Sequence, residues 1–158
     1  MPANQISDLV KRMEEAQKKY VASLEGITDK ELYTIPKEGE WTVAQINAHM
    51  CESAPMWMEK VANAAKEPNL ARNEAEMARR VNIVAEQAKD KIDVIRKRAL
   101  AANAKCLETM KRLKPEDLTR PITGRYASPL DVIETSVIKH LGDHATQITE
   151  TRAAAKGK

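Results

Sequence analysis

The sequence predicts an all-α fold, a four-helix bundle occupying residues 1–158 as a single domain. Three observations carry that expectation. Long segments repeat apolar residues at the helical period, 42% of the chain being hydrophobic and 31% charged. Only 5 Gly and 7 Pro punctuate 158 residues, too little turn material for a many-stranded fold. There is no Phe, so the core must come from aliphatic side chains, Met and Ala. A chain of this length can bury about 68–70% of its unfolded surface, so it needs no disulfide or structural metal to fold.

The first helix is expected from about Gln5 to Leu24, with Ile6, Leu9, Val10, Met13, Ala16, Tyr20 and Leu24 on one face. Gly26 closes it, and Thr28 and Asp29 offer capping chemistry for a short turn through Leu32. Residues 35–40 form a polar connection containing Pro36 and Gly39. Helix two starts after Trp41, with Thr42 and Gln45 at capping-box spacing. Its stripe runs through Val43, Ile46, His49, Met50, Ser53, Met56, Trp57 and Val61, and Pro55 inside it predicts a kink. Residues 66–73 read as a connection. From Met77 to Leu113 one apolar stripe keeps a period of 3.6, which predicts one straight helix of about 55 Å. After a loop from Glu116 to Ser128, Ser128 and Pro129 supply an N-cap and a first-turn proline. Helix four then runs to about Arg152, with Ile133, Val137, His140, His144 and Ile148 inward, and the tail from Ala153 to Lys158 is expected to fray. Connection lengths alone leave the topology open.

Charge excludes little but directs some expectations. Against 26 Lys and Arg stand 23 Asp and Glu, too near balance to argue for nucleic acid. Residues 66–114 hold 13 of the basic and 7 of the acidic side chains, which reads as a solvated mixed-sign face. No helix-turn-helix turn or aromatic stacking platform is present, so no nucleic-acid partner is expected. No apolar run reaches membrane length, and the N-terminus lacks a hydrophobic signal core, pointing to a cytoplasmic protein. Cys51 and Cys106 form no CxxC and read as small hydrophobes.

The three histidines are the informative residues. His140 and His144 lie four apart, one turn on one helix face, where both can reach a single ion. Val137 and Ile148 share that face, so both rings point inward. His49 lies in the apolar stripe of helix two and points inward too. Three neutral imidazoles suffice for a divalent ion with one open position, Zn²⁺ or Ni²⁺ in first place. The segment from His140 to His144 lacks the glutamate of the zinc-protease HExxH helix. Glu52, one turn after His49, is the catalytic candidate; Gln45, Asp143 and Gln147 are supporting candidates of the same kind. Taken alone, each of these four reads first as a solvated or helix-pairing side chain, of which helices carry many.

Trp41-Thr42-Val43 leading to His49-Met50, Leu113-Lys114-Pro115-Glu116-Asp117-Leu118, Ser128-Pro129-Leu130-Asp131, and His140 to Ile148 occur in order along the chain. Together these segments resemble the DinB-like superfamily of metal-dependent enzymes, over about Ile6 to Arg152. The resemblance implies a four-helix bundle of up-down-down-up topology, a divalent metal held by His49, His140 and His144, and a homodimer. It also implies small-molecule chemistry, with thiol-dependent S-transferases and a mycothiol-dependent isomerase among characterised branches. Pro55 departs from the family's second helix.

Three functional classes follow. The first is a metal-dependent enzyme acting on a small-molecule substrate, of thiol S-transferase or hydrolase type, with a low-molecular-weight thiol as its co-reactant. The second is a non-catalytic metal-binding stress-response bundle. The third is an interaction module without metal.

Overall fold

A computed structural model describes residues 2–158, with side-chain surroundings from residue 4 onward. The described residues are helical with no strand. Helix α1 spans Pro2–Ser23 and α2 Asp29–Tyr33. Helix α3 spans Val43–Ala62, α4 Glu74–Gln87 and α5 Ile92–Arg112. The short α6 (Pro115–Leu118) precedes a loop, and α7 (Pro129–Val132) leads through a π-helical segment, Ile133–Lys139, into α8 (His140–Lys156).

Capping chemistry sets the starts. Thr28 and Thr42 each close a capping box, Thr42 Oγ1 accepting from the Gln45 amide while Gln45 Oε1 accepts from the Thr42 amide. Ser128 Oγ accepts from the Asp131 amide, with Pro129 in the first turn.

Side-chain contacts fix the directions. Arg12 meets Glu134, Lys19 meets Thr146 and Arg152 meets the Ser23 carbonyl, so α1 and α8 run parallel. Gln17 reaches Asn103 and Glu25 reaches Arg96, so α5 runs antiparallel to α1. Asn47 donates to the Ile95 carbonyl, and Cys51 and Glu59 share a groove with Arg98 and Lys105, so α3 runs with α5. The four long elements α1, α3, α5 and the α7–α8 unit are therefore up, down, down, up. Leu9, Met13, Ile46, Met58, Met110, Ile133 and Ile148, each almost wholly buried, fill the space between them. At about 1.5–3 kcal/mol for each large side chain, that burial is the main driving force of the fold.

Four expectations need correction or refinement. The stripe from Met77 to Leu113 is two helices, not one: α4 ends at Gln87 and α5 begins at Ile92. Tyr33 Oη donates to the Asp90 carbonyl, and the Asp90 carboxylate takes Arg98, so contacts from elsewhere in the chain fix the break. Met77 and Val81 consequently sit exposed rather than in the core. Helix α3 continues through Pro55 to Ala62 as one element. The last helix carries a π segment that periodicity gave no sign of. The tail does not fray after Arg152: α8 continues to Lys156, Ala155 is fully buried, and Lys158 Nζ donates to the Ile35 and Pro36 carbonyls.

Candidate metal centre

Helices α3 and α8 face each other across the bundle and bring His49, His140 and His144 together. One ligand atom from each lies within 4.8 Å of the other two. His49 is buried, and the other two are half-buried. Ring centroids are 5.2 Å from His49 to His140, 5.3 Å from His49 to His144 and 4.3 Å between the α8 pair. Trp41 covers His49 from behind, its ring centroid 5.3 Å away.

The electrostatics keep all three rings neutral. Burial, reinforced by His140, His144, Arg80 and Arg72, pushes His49 down to about 3. Burial and then His144 push His140 down to about 4, against a backbone hydrogen bond to Ser136 that favours its charge. Burial also lowers His144, with Gln147 and Asp143 opposing. Neutral imidazole is the metal-ligating form.

The hydrogen bonds orient the lone pairs. His144 Nδ1 lies 2.6 Å from Gln147 Oε1, an acceptor, so Nδ1 carries the proton and Nε2 is bare. His140 makes its backbone hydrogen bond to Ser136, in the π segment, and its own amide turns back to the Val137 carbonyl. The two Nε2 atoms then face each other at 2.7 Å. With the His144 Nε2 bare, the His140 tautomer decides the contact: a proton on its Nε2 bridges the pair as a neutral hydrogen bond, and a proton on its Nδ1 leaves both lone pairs free for a cation. His49 adds a buried Nδ1 with no hydrogen-bond partner. The donor set thus fits a divalent cation of the kind imidazole prefers, with Gln147 in the orienting role that ligating histidines require.

The other candidates fall elsewhere. Both Glu52 oxygens are engaged by the Arg72 guanidinium, at 2.8 and 2.9 Å. Gln45 belongs to the α3 cap, and Asp143 is exposed and holds Lys139 at 2.6 Å. Cys51 and Cys106 are pushed up to about 12, by burial above all, so neither offers a thiolate.

A cavity of about 770 Å³ opens beside His49 and His140, walled by Ser53 and Trp57 of α3, Arg72 and Arg80, and the loop residues Arg125 and Tyr126. Trp57 and Tyr126 meet edge to face at 5.5 Å. Sequence reasoning missed the arginines. Arg72 and Arg80 were signalled only by the excess of basic residues between 66 and 114, which looks the same when it is solvated, and Arg125, in the loop after Glu116, lay outside even that.

Residues 12–148 match the family model of the DinB superfamily. The chain belongs to the DinB superfamily. No curated protein sequence matches it. Two solved structures share its fold: a mycothiol-dependent maleylpyruvate isomerase (TM-score 0.74, 15% identity) and a histidine-to-alanine mutant of a mycothiol-dependent maleylpyruvate isomerase (TM-score 0.75, 14% identity). Each alignment covers 90% of this chain and 60% of the other, so this DinB-superfamily chain spans less than two thirds of those enzymes. No helix among the described residues is long and apolar enough to cross a membrane.

Proposed function

We propose that this protein holds a divalent cation, Zn²⁺ or Ni²⁺, on His49, His140 and His144 and uses it in small-molecule chemistry of the thiol S-transfer or hydrolytic type. The observation that carries this reading is the convergence of three imidazoles, one ligand atom of each within 4.8 Å of the others, with the His140 and His144 Nε2 atoms facing each other at 2.7 Å. When bound, such a cation supplies Lewis acidity, bringing the pKa of a water or thiol nucleophile toward 7. His144 is held in the ligating tautomer by Gln147, and His140 is seated by the π segment. Trp41 shields His49 from solvent, and the adjoining cavity, within the usual 300–1,000 Å³ range, receives the substrate. The fold neighbours, named as mycothiol-dependent isomerases, support a low-molecular-weight thiol as co-reactant.

A non-catalytic bundle with a structural metal is the second reading. The cavity at the ligands favours the first, because a structural site closes its coordination sphere with protein atoms. The homodimer and the cytoplasmic setting belong to the same proposal, with sedimentation velocity reading the one and cell fractionation the other.

Elemental analysis of tag-free protein, wild type beside His144→Ala, is the test. The expected result is a near-stoichiometric divalent metal in wild type, lost in the variant, and thermal stabilisation of wild type alone on adding Zn²⁺. A wild type that takes up neither Zn²⁺ nor Ni²⁺ would make the histidines core residues and end the proposal.

A further inference from the structure

The cavity beside the histidines is lined with hydrogen-bond donors and positive charge. No Asp or Glu is among its described lining residues, while three arginines are. Arg72 is spoken for: its guanidinium grips Glu52, the two side chains being 9% and 5% exposed. Arg80 and Arg125 have no carboxylate partner among the described residues, so their charge is uncompensated at the cavity wall.

The hydroxyls point the same way. Arg125 Nη2 donates to Tyr126 Oη at 2.7 Å, and Tyr126 Oη lies 2.7 Å from Ser136 Oγ. Either of the two hydroxyls can donate in the Tyr126–Ser136 bond, which uses one of their two hydrogens and leaves the other for a ligand. Ser53 is 1% exposed, lines the cavity, and its Oγ has no partner. A buried hydroxyl left unpaired costs about 1–3 kcal/mol, so it marks a place that a ligand oxygen can satisfy.

The backbone presents these groups as a unit. Thr123 donates its amide to the Pro68 carbonyl at 2.9 Å, and Asn69 pairs with Thr123 in a single bridge. This joins the loop bearing Arg72 to the loop bearing Arg125. Gly124 adopts φ +98° between Thr123 and Arg125, a conformation that side-chain-bearing residues rarely take.

We propose that Arg80 and Arg125, with Ser53 and Ser136, form an oxyanion subsite, so that the substrate is a small molecule carrying a carboxylate or phosphate group while its reacting end lies at His49 and His140. Guanidinium forks suit both oxyanions. Describing the bound molecule as substrate rests on the metal-centre reading; the anion subsite itself stands on the arginines and hydroxyls.

The test is an amide NMR titration of the full chain with benzoate, phenyl phosphate and the neutral isostere benzamide, in metal-free and zinc-loaded protein. Metal-free wild type is expected to bind one of the two anions at least about tenfold more tightly than benzamide. Whichever anion it is names the oxyanion. In Arg80→Gln/Arg125→Gln the preference should fall to within about twofold. If that pair collapses the amide dispersion, Arg125→Gln alone, on an exposed loop, should lose about threefold. Equal binding of all three probes by wild type would overturn the subsite, and so would a preference that survives the folded substitutions. A preference seen only with zinc and insensitive to the arginines would place the anion on the metal and overturn it as well. Failure to load zinc with the metal-free preference intact would remove the metal reading and leave the subsite standing.

Discussion

The protein has two polar clusters on α8, and they are built on opposite terms. Near the C-terminal end of α8, Arg152 donates to Glu31 Oε2 at 2.9 Å and to the Ser23 and Glu25 carbonyls at 2.7 and 2.8 Å. Glu31 is buried; that burial raises its carboxyl, but the Thr28 amide and Arg152 together outweigh it and hold the group below its usual range. Each charged group there has met its partner inside the chain. Three turns earlier, the histidine cluster leaves two ring nitrogens facing each other, a third without a partner, and the Ser53 hydroxyl unpaired. The chain can satisfy buried polar groups when only folding is at stake. Where it does not, the missing partner comes from outside.

Acid should separate the two clusters most widely. His49 and His140 titrate near 3 and 4 in the folded chain and at about 6.5 when unfolded. The unfolded chain therefore binds more protons across that interval, and folding stability falls as pH drops below about 6.5. For metal-free protein the loss between pH 7 and 5 is expected to be on the order of 2 kcal/mol, read by urea denaturation. A metal-free protein most stable near pH 5 would mean that a proton bridges the α8 pair. Arg152→Ala comes next. It leaves buried Glu31 with only the Thr28 amide and Lys156, 3.7 Å away, and should cost roughly 2 kcal/mol, with the metal content of the folded protein unchanged. Loss of metal in that variant would couple the clusters and break the comparison.

Gln147→Ala acts on the open cluster alone. Freed from its acceptor, His144 is expected to bind Zn²⁺ about 10–100-fold more weakly in a competition titration, with little change in metal-free stability. An unchanged affinity would reduce Gln147 to a surface side chain. Ser53→Ala should have the smallest effect and the opposite sign. Removing an unpaired buried hydroxyl is expected to leave stability within about 0.5 kcal/mol of wild type or to raise it. A loss of 1 kcal/mol or more, well outside that ~0.5 kcal/mol, would show that Ser53 already has a partner and that its end of the cavity is closed.

The sequence made the histidine set legible because helical spacing is local. Two rings four apart on an apolar face can turn only one way, and His49 sits in an unbroken stripe between Ile46 and Ser53. The capping boxes at Thr28 and Thr42 were legible for the same reason. The break between α4 and α5 was not: no Gly or Pro marks residues 88–91, and Tyr33 reaches Asp90 from 57 positions away. The arginine wall was equally hidden. Arg80 and Arg125 are far apart in the chain, and they meet at one cavity wall only once α4 and the loop before α7 are packed on α3. Long-range hydrogen bonds leave no period behind them.

The π segment before His140 sets the phase of everything that follows it. A π turn places one more residue in the helix than an α turn would, so the stretch from Ile133 to Lys139 works as an offset between two gears cut on one shaft. Within it, Ile133 and Val137 mesh with the core; downstream, the histidine teeth engage α3. Removing one residue from that stretch would let the helix close into plain α geometry. It would then swing His140 and His144 by about 100° out of mesh with His49, and the buried Leu141, Ala145 and Ile148 would turn with them.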